Sequence, residues 1–172
     1  MDFSFAPPPK LERLTPETLA SVSDDVIESA LVSYVVDLAP DQVDEPSALD
    51  RLPPALRAWY VAFVIDAEVL NGGFNQFFFN SSRILAPEAR DAFVRIGIPE
   101  AGELVDRALA LLASHEPALE KAQEDGTIDA FMETYLDQPF EELDQQYNEQ
   151  QERFAEARIR FIRDNARDFT HP

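Results

Sequence analysis

The sequence predicts an all-α fold: a compact helical domain of roughly seven to nine helices around a buried central one at Pro53–Leu70. Three observations carry this. Apolar residues recur at helical spacing through most of the chain, and no segment alternates apolar with polar residues between turn signals. Residues 53–70 are apolar on nearly every face (Leu56, Trp59, Tyr60, Val61, Phe63, Val64, Ile65, Val69, Leu70), broken only by Arg57, Asp66 and Glu68, the pattern of a central helix. Glycines number only five, too few for the many turns of a β fold.

The elements follow in order. Residues 1–14, with Phe3-Ser4-Phe5-Ala6-Pro7-Pro8-Pro9, read as an extended Pro-rich arm, and 15–172 as one helical domain. Thr15-Pro16-Glu17 is a helix start: N-cap hydroxyl, Pro at the first position, then an acid. Ser23-Asp24-Asp25 starts the next, with Val26, Ile27, Ala30, Leu31, Tyr34, Val35 and Leu38 at helical spacing, ended by Ala39-Pro40. Residues 40–50 read as an acidic loop. After the central helix, Asn71-Gly72-Gly73 stops the chain because Asn and Gly readily adopt left-handed backbone. A short helix from Phe74 to about Ser82 is expected next, then Pro87–Gly97 and Glu100–Ser114, the latter with Leu104, Val105, Ala108, Leu109, Leu111 and Leu112 inward. Thr127–Leu136 and Phe140–Tyr147 read as acidic amphipathic helices. The last helix spans Glu149–Phe169, with Phe154, Ala157, Phe161, Ile162 and Ala166 inward and Arg153, Arg160, Arg163 and Arg167 outward.

The formal net charge is -19. Residues 15–50 carry nine acids and no Lys or Arg, and residues 116–156 carry thirteen against Lys121 and Arg153. The stretch between is nearly balanced, with seven acids and six arginines. A genome-wide acid bias or salt adaptation would spread acids over the whole surface. A concentrated field attracts cationic surfaces and repels nucleic acid and anionic membranes. The absence of Cys excludes thiol chemistry. No basic-plus-apolar leader opens the sequence and no run could span a bilayer, so a cytoplasmic protein is expected.

The most unusual string is Glu68-Val69-Leu70-Asn71-Gly72-Gly73-Phe74-Asn75-Gln76-Phe77-Phe78-Phe79-Asn80-Ser81-Ser82. Phe74, Phe77 and Phe78 share one helix face, and Gln76 and Asn80, four apart, are placed to bond each other. The paired glycines permit a tight corner, and the amides satisfy backbone groups freed there. On Glu68, Asn71, Gly72, Gly73, Phe74, Gln76, Phe77, Phe78, Asn80, Ser81 and Ser82 the chain resembles the bacterial DNA-mimic protein family of about nineteen kilodaltons, the size of this chain at 19.4 kDa. Ala86-Pro87-Glu88-Ala89 and Ile96-Gly97 fit as well, so the resemblance covers roughly residues 50–100. Relatives often have His at the position of Asn75 and Gly at that of Arg83. The resemblance implies an all-helical protein whose acidic surface imitates DNA and blocks the DNA site of a partner such as a transcription factor.

Duplex DNA steps about 3.4 Å per phosphate along each strand. Carboxylates four apart on a helix are separated by about 6 Å along its axis. Glu116-Glu120-Glu124, Asp129-Glu133-Asp137 and Glu149-Glu152-Glu156 form such rows if helical, with Glu141, Glu142 and Asp144 between. Like charges at that spacing repel by about 0.7 kcal/mol per pair in water, so a surface selected only for stability would interleave Lys. The expected contact face is Asp129, Glu133, Asp137, Glu141, Glu142, Asp144 and Glu149, then Asp24, Asp25 and Glu28.

The expected partner is therefore a basic DNA-binding protein, with no direct nucleic-acid or membrane contact. The arginine stripe leaves a homodimer open. No catalytic residue, metal site or cofactor is expected: of two histidines, His171 is next to last, and His115 in Ser114-His115-Glu116-Pro117 reads as a helix-end cap. Asp66 and Glu68, beside the apolar core, are read either as carboxylates of perturbed ionisation or as hydrogen-bonding groups of the glycine corner. Two other functions fit the residues: an immunity or antitoxin-like inhibitor of a basic nuclease using the same acids, and a small-ligand protein using the Asn71–Ser82 amides.

Overall fold

The computed structural model describes residues 8–38 and 49–170. Most of the Pro-rich arm and of the 40–50 loop, and His171, lie outside the described residues. Among the described residues are eight α-helices and one 3₁₀ turn, with no strand: α1 (Pro16–Ser21), α2 (Asp24–Leu38), α3 (Pro54–Phe79), the 3₁₀ turn (Ser81–Leu85), α4 (Ala86–Ile96), α5 (Pro99–Asp125), α6 (Ile128–Glu133), α7 (Glu141–Asn148) and α8 (Gln151–Asp164). No helix among them is long and apolar enough to cross a membrane. The chain divides into two compact units, Met1–Arg57 with Ile159–Pro172, and Ala58–Arg158.

In the first unit, α1 opens on a reciprocal cap. Thr15 Oγ1 accepts from the Thr18 N–H (3.1 Å) and Thr18 Oγ1 accepts from the Thr15 N–H (2.9 Å), with Thr18 in the place Glu or Gln usually holds. Helix α2 buries Ile27, Ala30, Leu31 and Val35, while Leu38, expected inward, is exposed. Leu19, Leu49, Leu56, Phe161, Ile162 and Phe169 are buried with them. Arg163 does not point outward as expected. Its guanidinium donates to Asp24 Oδ1 (2.9 Å), to the Val22 carbonyl (2.6 Å) and to the Leu19 carbonyl. These carbonyls lie at the end of α1, whose last turn has no basic residue of its own, so Arg163 supplies the charge that a helix C-terminus favours. Helix α8 ends at Asp164, short of the expected Phe169, because residues 165–169 continue as turns.

In the second unit, α3 buries Trp59, Val61, Ala62, Ile65 and Val69, turns a corner at Gly72-Gly73, and buries Phe74, Phe77 and Phe78 completely. Their rings continue into Phe140 (5.4 Å from Phe78), Tyr147 (5.8 Å from Phe74) and, from Tyr147, Phe154 (5.1 Å). The limb after the corner ends at Phe79, earlier than the expected Ser82, where the chain tightens into the 3₁₀ turn. Gly97 (φ 92°) closes α4 in left-handed backbone, which glycine adopts readily. Helices α4 and α5 pack so closely that a Cβ on Gly102 would lie 3.1 Å from Arg90 Cα.

Three expectations are corrected here. Helix α5 does not stop at Ser114. It runs through Pro117 to Asp125, because the buried series Leu104, Ala108, His115, Leu119, Ala122 keeps helical spacing and its packing outweighs the lost backbone hydrogen bond. Leu111 consequently faces outward. Helix α6 ends at Glu133 instead of Leu136, which breaks the Asp129-Glu133-Asp137 row after its second member, and Glu149 precedes α8, which breaks the row ending at Glu156. Only Glu116-Glu120-Glu124 lies wholly on one helix.

Candidate functional site

The glycine corner is a closed hydrogen-bond assembly. Gly72 (φ -154°, ψ 26°) and Gly73 (φ 71°, ψ -177°) leave helical geometry, and Gly73 takes a backbone region that is nearly glycine-only. The turn frees backbone groups that distant side chains satisfy: Tyr135 Oη donates to the Gly72 carbonyl (2.9 Å), and the Phe74 N–H donates to Asp144 Oδ1 (2.8 Å). Around it, Glu68 accepts from Gln76 (2.9 Å), Asn80 (2.8 Å) and Ser82 (2.8 Å), while Asn71 donates to Gln76 Oε1 (3.1 Å). Contrary to the expectation from their spacing, Gln76 and Asn80 do not bond each other: both turn to the Glu68 carboxylate. The polar atoms proposed for a ligand pocket are directed at one another. Of the motif's polar residues, Asn71 and Ser81 are exposed, Ser81 at the start of the 3₁₀ turn.

Two buried polar arrangements adjoin the corner. Asn75 Nδ2 donates to Thr134 Oγ1 (2.7 Å), and its Oδ1 lies 3.0 Å from His115 Nε2, so the ring donates there. His115 is thus an interior residue of α5 and not a cap. Burial lowers its pKa, opposed by the nearby Asp137 charge. The second arrangement is the ion pair Asp66–Arg158 (2.9 Å), both side chains about 5% exposed and the guanidinium 5.8 Å from the Phe63 ring centre. Burial, then the Asp66 charge, raises the Tyr147 hydroxyl well above its ordinary value. Arg158 escaped sequence reasoning, although it stands four residues from both Phe154 and Ile162, which are fully buried. That spacing is the signal that finds it.

The expected contact residues divide in two. Asp24 is engaged by Arg163, and Glu28 also has an interaction within the chain. Asp144 is half-buried and caps the corner. Burial raises its pKa above the usual carboxylate value against the opposing Phe74 N–H, and the Glu141 charge adds to the rise. Asp144 therefore belongs to the scaffold. Asp129, Glu133, Asp137, Glu141, Glu142 and Glu149 are exposed, and none forms an ion pair among the described residues. Glu142 and Glu149 bond only the amides of Gln146 and Gln145, both at 3.0 Å. Glu141 and Glu142 occupy the first turn of α7, where the helix dipole favours negative charge and helps the fold tolerate them. Elsewhere acids meet cations: Glu116 bonds Arg83 (2.9 Å), Asp106 bonds Arg90, and Glu100 bonds Arg153, a member of the arginine stripe. Asp25, in the first turn of α2, is exposed. No group of three or more potential metal ligands occurs among the described residues.

Neither a curated protein nor a solved structure matches the chain. The family described as DMP19-like protein matches residues 50–165, well over half of the 172 residues, spanning both the glycine corner and the acids of α5 to α8. By that match the chain belongs to the DMP19-like protein family.

Proposed function

We propose that this protein is a non-enzymatic DNA mimic: it binds the DNA-binding surface of a basic partner, such as a transcription factor, and blocks access to DNA. The observation that carries this reading is the set of six exposed acids from Asp129 to Glu149 without a countercharge, on a stretch with no Lys or Arg between Lys121 and Arg153. A protein does not gain stability by holding like charges together, whereas a cationic partner relieves their repulsion. Membership of the DMP19-like family supports the same reading. The glycine corner, with its polar groups spent on one another, serves as scaffold.

The test is recovery of partners from native lysate at low salt, followed by competition with duplex DNA. The expected result is a basic DNA-binding protein that this chain displaces from DNA, with an affinity that falls as salt rises. Failure to displace DNA from every DNA-binding protein so recovered overturns the proposal.

A further inference from the structure

In α6 and the turn that follows it, exposed apolar residues alternate with acids. Ile128 is 80% exposed, Met132 56% and Leu136 79%, and each is followed directly by an acid: Asp129, Glu133, Asp137. Single exposed apolar residues are ordinary, but three large ones within nine residues form a ridge. The ridge sits on an anchored element. Phe131 packs on Phe79 at 4.4 Å, Tyr135 meets Phe131 edge-on at 5.3 Å, and Thr127 caps the helix by accepting from the Ala130 N–H (3.2 Å).

We infer that residues 128–137 form a composite docking surface for an amphipathic cationic helix of a protein partner, its Arg and Lys meeting Asp129, Glu133 and Asp137 while its apolar side chains cover Ile128, Met132 and Leu136. The inference rests on the proposed function for the sign of the partner's charge. It goes further in requiring apolar contact, which a phosphate backbone does not offer.

Charge decides the occupant. Residues 128–142 hold five acids and no Lys or Arg, so a second copy of this surface would set like charges face to face, and an anionic membrane would be repelled. A helix with apolar residues at i, i+3, i+4 and i+7 flanked by Arg or Lys complements both stripes. Met132, with a flexible thioether, suits a surface that must adapt to the incoming side chains.

The test uses the full chain and two synthetic helical peptides with equal Arg content, one bearing Leu at those four anchor positions and the other Gln. Fluorescence anisotropy is expected to show the Leu peptide binding about tenfold or more tighter, from burial of the anchor side chains. That preference persists as salt is raised and is lost in I128S/M132S/L136S, whose helicity and binding of the Gln peptide are unchanged. Ile128→Ser alone, at the most exposed site, is expected to reduce the preference in part, and it serves if the triple variant does not fold. Equal binding of both peptides overturns the inference while leaving the DNA-mimic reading standing. Binding of neither peptide also overturns it, and the DNA-displacement experiment then decides separately whether the mimic reading falls too. A wild-type dimer that the triple variant turns into a monomer overturns it as well, by giving the ridge to a second copy of the chain.

Discussion

Replacing Gly73 by Ala strikes the corner twice. The residue sits at φ 71°, ψ -177°, where a side chain costs about 1–3 kcal/mol of backbone strain. Its new Cβ would also run into the Asp144 carboxylate, in contact with both oxygens and the carbon between them. Asp144 holds the Phe74 N–H at 2.8 Å, and losing a hydrogen bond to a charged group costs about 1.5–3 kcal/mol. Together the variant should lose about 3–5 kcal/mol, a large share of the roughly 5–15 kcal/mol that holds a domain folded. Gly97→Ala is the internal control: φ is 92° and nothing lies within 4 Å of an added Cβ, so only the strain of about 1–2 kcal/mol applies. Urea unfolding followed by circular dichroism measures both, together with Asp144→Ala and the Gly73→Ala/Asp144→Ala double variant. Because Gly73→Ala already displaces Asp144, the double variant should cost about 1.5–3 kcal/mol less than the sum of the singles. If Gly73→Ala is no worse than Gly97→Ala, or if the two corner substitutions simply add, the account of the corner is wrong.

Breaking the buried pair on one side, with Asp66→Asn, leaves the Arg158 guanidinium buried without its countercharge and should cost about 3–5 kcal/mol in urea unfolding, whereas Asp66→Leu/Arg158→Met should recover most of that loss. His115 titrates below its ordinary 6.5 because burial disfavours the charged ring, so its contribution to stability is complete above that pH and is lost as pH falls through the folded value. Unfolding midpoints between pH 7.5 and pH 5 should therefore fall for the wild type and fall less for His115→Gln, and parallel profiles would refute the assignment. Neutralising the uncompensated acids in D129N/E133Q/D137N/E141Q/E142Q should leave helicity intact, hold or slightly raise stability, and flatten the salt dependence of partner binding. An unchanged salt slope, read from binding titrations at several salt concentrations, would place the contact elsewhere.

Local rules made much of the fold legible. Thr15-Pro16 starts a helix, Asn71-Gly72-Gly73 turns a corner, and Gly97 ends one, each because backbone preference and packing agree. The end of α5 was misjudged because packing overrode a local signal. Pro117 suggested a helix end, yet Leu119 and Ala122 are buried beyond it. The candidate site was legible in composition more than in detail. Asp129 and Glu133 of α6 and Glu141 and Glu142 of α7 are exposed. Asp144, however, was indistinguishable from Glu141 and Glu142 in sequence, because its partner, the Phe74 N–H, is seventy residues away. No local pattern encodes a contact of that separation. Arg158 was partly accessible, since its spacing from Phe154 and Ile162 marks an inward position.

Helix α7 does two jobs with adjacent residues. Leu143, Asp144 and Tyr147 serve the interior, while Glu141 and Glu142, and Glu149 just past its end, face outward. Drift in recognition therefore has an uneven alphabet. The outward positions tolerate exchange among acids and amides and can be retuned to a new partner at little structural risk, whereas a base in the first turn of α7 would oppose the helix dipole. A change at Asp144, two residues beyond Glu142, uncaps Phe74 and loosens the fold before it alters any affinity. Anyone redesigning this helix to switch partners should vary Glu141 and Glu142 among acids and amides and hold Asp144 constant, because its charge answers to the corner and not to whatever binds outside.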